Sequence, residues 1–122
     1  ARALANEDLV IYGDGGQTRD LISVTDIAAG LLHLSTHREL EGVFNLGQGT
    51  AISVKDLAEA IRQRTGSRSR LRHEPERQGE IRHSVASIER LQATGWSPRV
   101  CLEEGLDTTV SLYRSAAHRN ER

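Results

Sequence analysis

The chain has 122 residues and a mass of 13.5 kDa, the size of one domain rather than two. Hydrophobic residues supply 37% and charged residues 27%, which favours a folded soluble unit over disorder. Sixteen basic against seventeen acidic residues exert no global pull toward nucleic acid or membrane, and no apolar run nears the roughly 20 residues of a membrane-spanning helix.

The opening Ala1-Arg2-Ala3-Leu4-Ala5 reads as the end of a helix already under way. With no Met anywhere and such an opening, the expectation is a fragment of a longer chain. Leu9-Val10-Ile11-Tyr12 is a short strand, closed by Gly13-Asp14-Gly15-Gly16, whose residues tolerate positive φ in a turn. Asp20 to Val24 is expected to pair back as a second strand. Ile27, Leu31 and Leu34, with Ala28 and Leu32, form an apolar stripe at helical spacing over 26–38, capped by Thr25 or Asp26.

Gly42 breaks the chain, and Val43-Phe44-Asn45-Leu46 is expected to be a strand ending at Gly47-Gln48-Gly49. Ser53-Val54-Lys55-Asp56 has the spacing of a capping box. Behind it Val54, Leu57, Ala58 and Ile61 line one face of a helix that runs to about Thr65 and stops at Gly66. A weak strand over 71–74 and a short helix over 87–94 follow. The last helix, over 102–117, carries Leu102, Leu106, Val110 and Tyr113 on one side. The fold class is therefore mixed α/β, with small sheet strands and about four helices.

Most patterns that suggest chemistry weaken on inspection. Gly47-Gln48-Gly49 lies between strand and helix, but Ile52 stands where a dinucleotide fingerprint needs its third Gly, so a plain turn is favoured. His33 and His37 have metal-ligand spacing without a third ligand, and the expectation is no metal, with both rings near a helix C-terminus. The single Cys101 excludes an intrachain disulfide, fits a reducing, cytoplasmic setting, and is expected to pack rather than react.

Seven Arg crowd positions 62–82 among Glu74, Glu76 and Glu80, which reads mainly as a self-paired surface. Without an aromatic to stack bases, that run makes nucleic-acid binding a poor reading. Arg19 and Arg77 differ from the others because each sits on a loop beside Gly. Converged, they could clamp a diphosphate; apart, they would be surface salt bridges.

From Tyr12 to Ala28 the sequence resembles the GDGxQxRDFIxVxDxA stretch of the extended short-chain dehydrogenase/reductase family. These are the NAD-dependent nucleotide-sugar epimerases and dehydratases, the UDP-glucose 4-epimerases among them. The resemblance continues in order through Val43–Gly49, Ser53–Ala58, Arg77-Gln78-Gly79-Glu80, and Leu91 to Pro98 with Leu102–Leu106. It implies that 1–122 is the C-terminal, substrate-binding portion of such an enzyme, with 26–50 resembling elements that pack on a missing N-terminal Rossmann domain. The family's Tyr-x-x-x-Lys pair has no match here: Lys55 is the only Lys, and Ala51 stands four residues before it. No catalytic and no cofactor-binding residue is therefore expected in this chain, and the NAD of the parent enzyme would be bound elsewhere.

Carried over by position, the resemblance makes Arg19 and Arg77 ligands of the substrate diphosphate. It makes Glu80, in place of the usual Asp, a ribose acceptor, and Gln17 a neighbour of the nucleotide site. Leu21 and Ser87 depart from the family pattern, where an aromatic and an Asp are common. The implied partner is a nucleotide-diphosphate sugar of the UDP or dTDP type, with no nucleic acid and no membrane. The implied assembly is a homodimer, domain-swapped where the fragment stands alone. The alternative is a non-catalytic binding or interaction module that retains the fold.

Overall fold

A computed structural model describes the backbone of residues 1–120. After a 3-10 turn at Arg2–Ala5, strand β1 (Leu9–Tyr12) pairs in parallel with β4 (Leu71–Glu74), in the register Leu9 to Leu71 and Tyr12 to Glu74. A second sheet places β2 (Thr18–Arg19) between β3 (Ile52–Ser53), antiparallel, and β5 (His83–Ser84), parallel. The helices are α1 (Val24–Thr36), α2 (Val54–Thr65), α3 (Glu89–Gln92) and α4 (Leu102–Asn120). The mixed α/β class holds. None of the helices is long and apolar enough to cross a membrane among the described residues.

The turn after β1 forms as its composition requires, with Gly13 at φ 71° and Gly15 at φ 78°. A Cβ on Gly15 would stand 2.9 Å from the Lys55 Cβ and 3.0 Å from the Ile11 methyl, so β1 and the start of α2 approach closely there. Ser53 caps α2 by accepting from the Asp56 N–H at 3.0 Å. Its hydroxyl also donates to the Asp56 carboxylate at 2.6 Å. Only half of a capping box is formed, because the short Asp answers the hydroxyl rather than the cap's own N–H.

Two expected strands are not strands. Thr18–Arg19, not 20–24, pairs in the sheet, and it joins β3 and β5 instead of folding back on β1. The reason is Asp20, whose carboxylate collects the N–H groups of Gln48 at 2.7 Å, Gly49 at 3.0 Å and Ala86 at 3.2 Å. Three residues on, Ser23 accepts from the Thr25 N–H and starts α1, so the cap is Ser23 and not Thr25 or Asp26. Residues 43–46 also remain outside any ladder; Val43 is 81% exposed and Asn45 donates to the Ser87 carbonyl. In both stretches a polar side chain, Asp20 or Asn45, bonds backbone groups distant in sequence in place of a strand ladder.

The face of α1 that packs inward is also not the expected one. Its buried residues are Asp26 and Gly30, while Leu31 and Leu32 are exposed. Gly30 lets the helix lie directly on Leu46 and the Trp96 ring. Asp26 accepts the N–H groups of Arg99 at 3.1 Å and Val100 at 3.0 Å, tying the entry of α4 to α1. The rest of the core is small and aliphatic apart from Trp96, with Ile11, Ala58, Ile88, Leu91 and Val110 buried. The expected inward side of α4 holds at Val110 but fails at Tyr113, which is 53% exposed. The short helix expected over 87–94 narrows to α3, a single turn.

Candidate functional site

Strand β2 is only two residues long, yet it organises the candidate site because loop 75–82 returns along it. The Thr18 N–H donates to the Arg82 carbonyl at 2.8 Å, and β5 follows in parallel. Arg82 closes the same junction from the outside with two hydrogen bonds to Asp14, 2.8 and 2.7 Å long, and Asp14 also accepts from the Gly16 N–H. This pairing, with the Arg82 hydrogen bond foremost and the Gly16 amide second, holds the Asp14 carboxyl well below the ordinary carboxylate range. In turn, Asp14 raises Arg82.

Inside that frame lie the four residues expected at the site. Arg19 donates through one nitrogen to the carbonyls of Thr18 at 2.7 Å and Ile81 at 2.8 Å; its other terminal nitrogen stands 3.3 Å from Glu80 Oε1. Gln17, 4% exposed, donates through Nε2 to the Tyr12 carbonyl at 2.9 Å and to Glu80 Oε1 at 3.4 Å. Both partners are acceptors, which fixes the amide's orientation. It leaves Gln17 Oε1 buried without a partner. The Arg77 carbonyl accepts the Glu80 N–H at 3.2 Å, and its side chain lays the guanidinium 3.7 Å above the centre of the Tyr12 ring.

The structure therefore brings Gln17, Arg19 and Glu80 into direct contact, and joins Arg77 to them by its backbone through Glu80 and by its side chain through Tyr12. The salt-bridge alternative is met at Arg19, which pairs with Glu80, and replaced at Arg77 by stacking. Sequence reasoning missed Tyr12 and the Asp14–Arg82 clasp. The signal available for Tyr12 was its place at the end of β1, directly before the Gly-rich turn.

The other candidates resolve as structure. The amides of Gln48 and Gly49 are engaged by Asp20, and a Cβ on Gly47 would stand 2.7 Å from that carboxylate. That turn wraps an internal anion and does not fit a dinucleotide's diphosphate. His33 bonds Thr94 through Nε2 at 2.9 Å, and the His37 Nδ1 donates to the His33 carbonyl at 2.8 Å. The two rings lie 4.1 Å apart, as expected of residues at a helix end. No group of three metal-binding side chains occurs among the described residues. Cys101 is exposed rather than packed. In the Arg run, Arg62 pairs with Glu59, Arg72 with Glu74 and Arg82 with Asp14, while Arg64 Nε lies 3.1 Å from Asp107 without hydrogen-bond alignment.

The site thus gathers a carboxylate, a carboxamide and two arginines around β2 and the loop that follows β4. The sequence model of the NAD dependent epimerase/dehydratase family matches residues 1–47. The UDP-glucose 4-epimerase of Mycolicibacterium smegmatis is 32% identical over 92% of the chain and 36% of its own length. The UDP-glucuronic acid decarboxylase 1 of Danio rerio is 33% identical over 92% of the chain and 27% of its own length.

Among solved structures, UDP-glucose 4-epimerase of Thermotoga maritima with UDP-glucose superposes with a TM-score of 0.86 at 32% identity, covering 95% of this chain and 38% of that one. The UDP-N-acetylglucosamine 4-epimerase of Methanobrevibacter ruminantium gives 0.86 at 34% identity, over 93% of this chain and 36% of that one. The chain is a relative of the NAD-dependent epimerases and dehydratases of the extended short-chain dehydrogenase/reductase type. It spans 26–37% of the length of the curated relatives it matches.

Proposed function

We propose that this chain is the substrate-binding portion of an NAD-dependent sugar-nucleotide epimerase or dehydratase, and that it holds the nucleotide diphosphate while hydride chemistry is carried out by residues outside it. NAD would supply the hydride acceptor there; the turn at Gly47–Gly49 has its amides engaged by Asp20 and is no cradle for it. The observation that carries this reading is the continuous contact from Gln17 through Glu80 to Arg19, with Arg77 stacked on the adjoining Tyr12. An incoming diphosphate would accept hydrogen bonds from Arg19 and Arg77 while Glu80 Oε1 and the Tyr12 ring keep the two guanidinium groups in place. The second Glu80 oxygen would accept a ribose hydroxyl.

The exposed apolar residues of α1 and of 43–46 (Val24, Leu31, Leu32 and Val43) form the surface on which the remaining part of such an enzyme would pack. Where that part is lacking, the same surface would draw two copies together. The compartment would be cytoplasmic.

The test is calorimetric binding of UDP and dTDP to the polypeptide that carries these residues in its source cells. Arg19→Ala should weaken nucleotide binding by about 1.5–3 kcal/mol, the scale of a hydrogen bond to a charged group. Unchanged affinity for both nucleotides removes Arg19 from the site.

A further inference from the structure

Gln17 breaks a rule that buried polar groups otherwise keep. Its carboxamide is almost wholly enclosed, yet Oε1 has no hydrogen-bond partner. A buried acceptor left unpaired destabilises a fold, and a Leu or Met of similar volume would avoid the cost. What the amide gains is the use of both its hydrogens, one on the Tyr12 carbonyl and one on Glu80 Oε1. Each of these partners supports one arginine. Glu80 Oε1 is the atom that pairs with Arg19, and the Tyr12 ring is the platform under Arg77. Gln17 is the only side chain seen to touch both supports among the described residues, and it joins the end of β1 to the loop before β5.

We propose that Gln17 is a positioning residue: by gripping the Tyr12 carbonyl and Glu80 together, it sets the spacing between Arg19 and Arg77, and so the fit to a diphosphate. The idea rests on the proposed function above. It differs from a direct ligand role, because the amide hydrogens are already committed and Oε1 is sealed from solvent. Local breach of a packing rule with no gain in stability is what a residue kept for geometry looks like.

The experiment uses UDP as the probe and the full-length polypeptide, with four variants: Gln17→Met, Gln17→Glu, Arg19→Ala and Arg77→Ala. Gln17→Met keeps the volume and removes both donors; UDP affinity should fall about tenfold, the scale of losing a hydrogen bond to a charged group. Gln17→Glu supplies a second reading if Met perturbs folding. Near neutral pH its carboxylate has no hydrogen for either acceptor and lies against Glu80, so binding should fall. As pH drops toward 5 and the new carboxyl takes up a proton, its affinity relative to wild type at the same pH should recover. A residue that only fills space would give no such pH-dependent ratio.

If both Arg variants lose UDP affinity while Gln17→Met binds as wild type, or the Gln17→Glu ratio is flat with pH, the positioning role is overturned and the site stands. If neither Arg variant changes UDP affinity, the nucleotide site itself is wrong, and the role falls with it.

Discussion

Asp14 shows how one exposed carboxylate can report on folding through pH. Its carboxyl is depressed in the folded state by Arg82 and the Gly16 amide, so its contribution is present above the ordinary value of 3.8 and is lost as pH falls toward the lower folded value. Asp14→Asn should therefore lower the melting temperature at neutral pH, with the gap to wild type closing below about pH 4. Melting curves at low ionic strength measure this, since salt screens so exposed a pair. Gly47 poses a different demand, because any Cβ there meets Asp20 and the Ala86 methyl, each at 2.7 Å. Gly47→Ala should cost about 1–3 kcal/mol in urea denaturation through overpacking. In sequence Gly47 stood out only as part of a Gly-Gln-Gly turn, and the role of Asp20 was not marked: its three amide partners lie 28, 29 and 66 residues away, and no local spacing records them.

The elements that were legible are those whose ends are fixed by their own residues. Strand β1 ends at a Gly turn, and α2 starts at Ser53 and stops at Gly66 with φ 64°. Each boundary is a local hydrogen-bond or φ requirement, so the residues announce it. The misread elements are governed from a distance. Helix α1 buries Asp26 and Gly30 because the chain before α4 and the Trp96 ring come to them, a choice invisible to apolar periodicity. Removing that tie should be measurable. Asp26→Ala would leave the N–H groups of Arg99 and Val100 without their acceptor and should destabilise the fold by about 1.5–3 kcal/mol in urea unfolding. Hydrogen exchange at those two amides should rise while the amides of β1 keep their protection.

At the scale of the molecule, the candidate site was legible as residue identities but not as an arrangement. The motif around Arg19 and the Arg77-to-Glu80 stretch could be matched by resemblance; the pairing of Arg19 with Glu80 and the stacking of Arg77 on Tyr12 needed the loop's return path. If the two arginines meet a diphosphate, UDP binding should weaken steadily as sodium chloride rises from 50 to 500 mM, roughly tenfold or more in affinity, because Arg77 is exposed and Arg19 partly so. Titrations across that range check it, and flat affinity would argue against an anionic ligand at these positions.

The parallel pairing of β1 with β4 carries a consequence for the chain as it is made. Leu9 meets Leu71 across the sheet, and the Asp8 carboxylate likewise bonds the Arg70 N–H from 62 residues away. A ribosome adding about 5–20 residues per second leaves β1 without its neighbour for roughly 3–12 s after emergence. During that interval the pairing of Val10 with Arg72 and of Ile11 with His73 is unmade. Arresting synthesis just before β4 should give a chain that proteases cut between Leu9 and Tyr12 more readily than the completed chain.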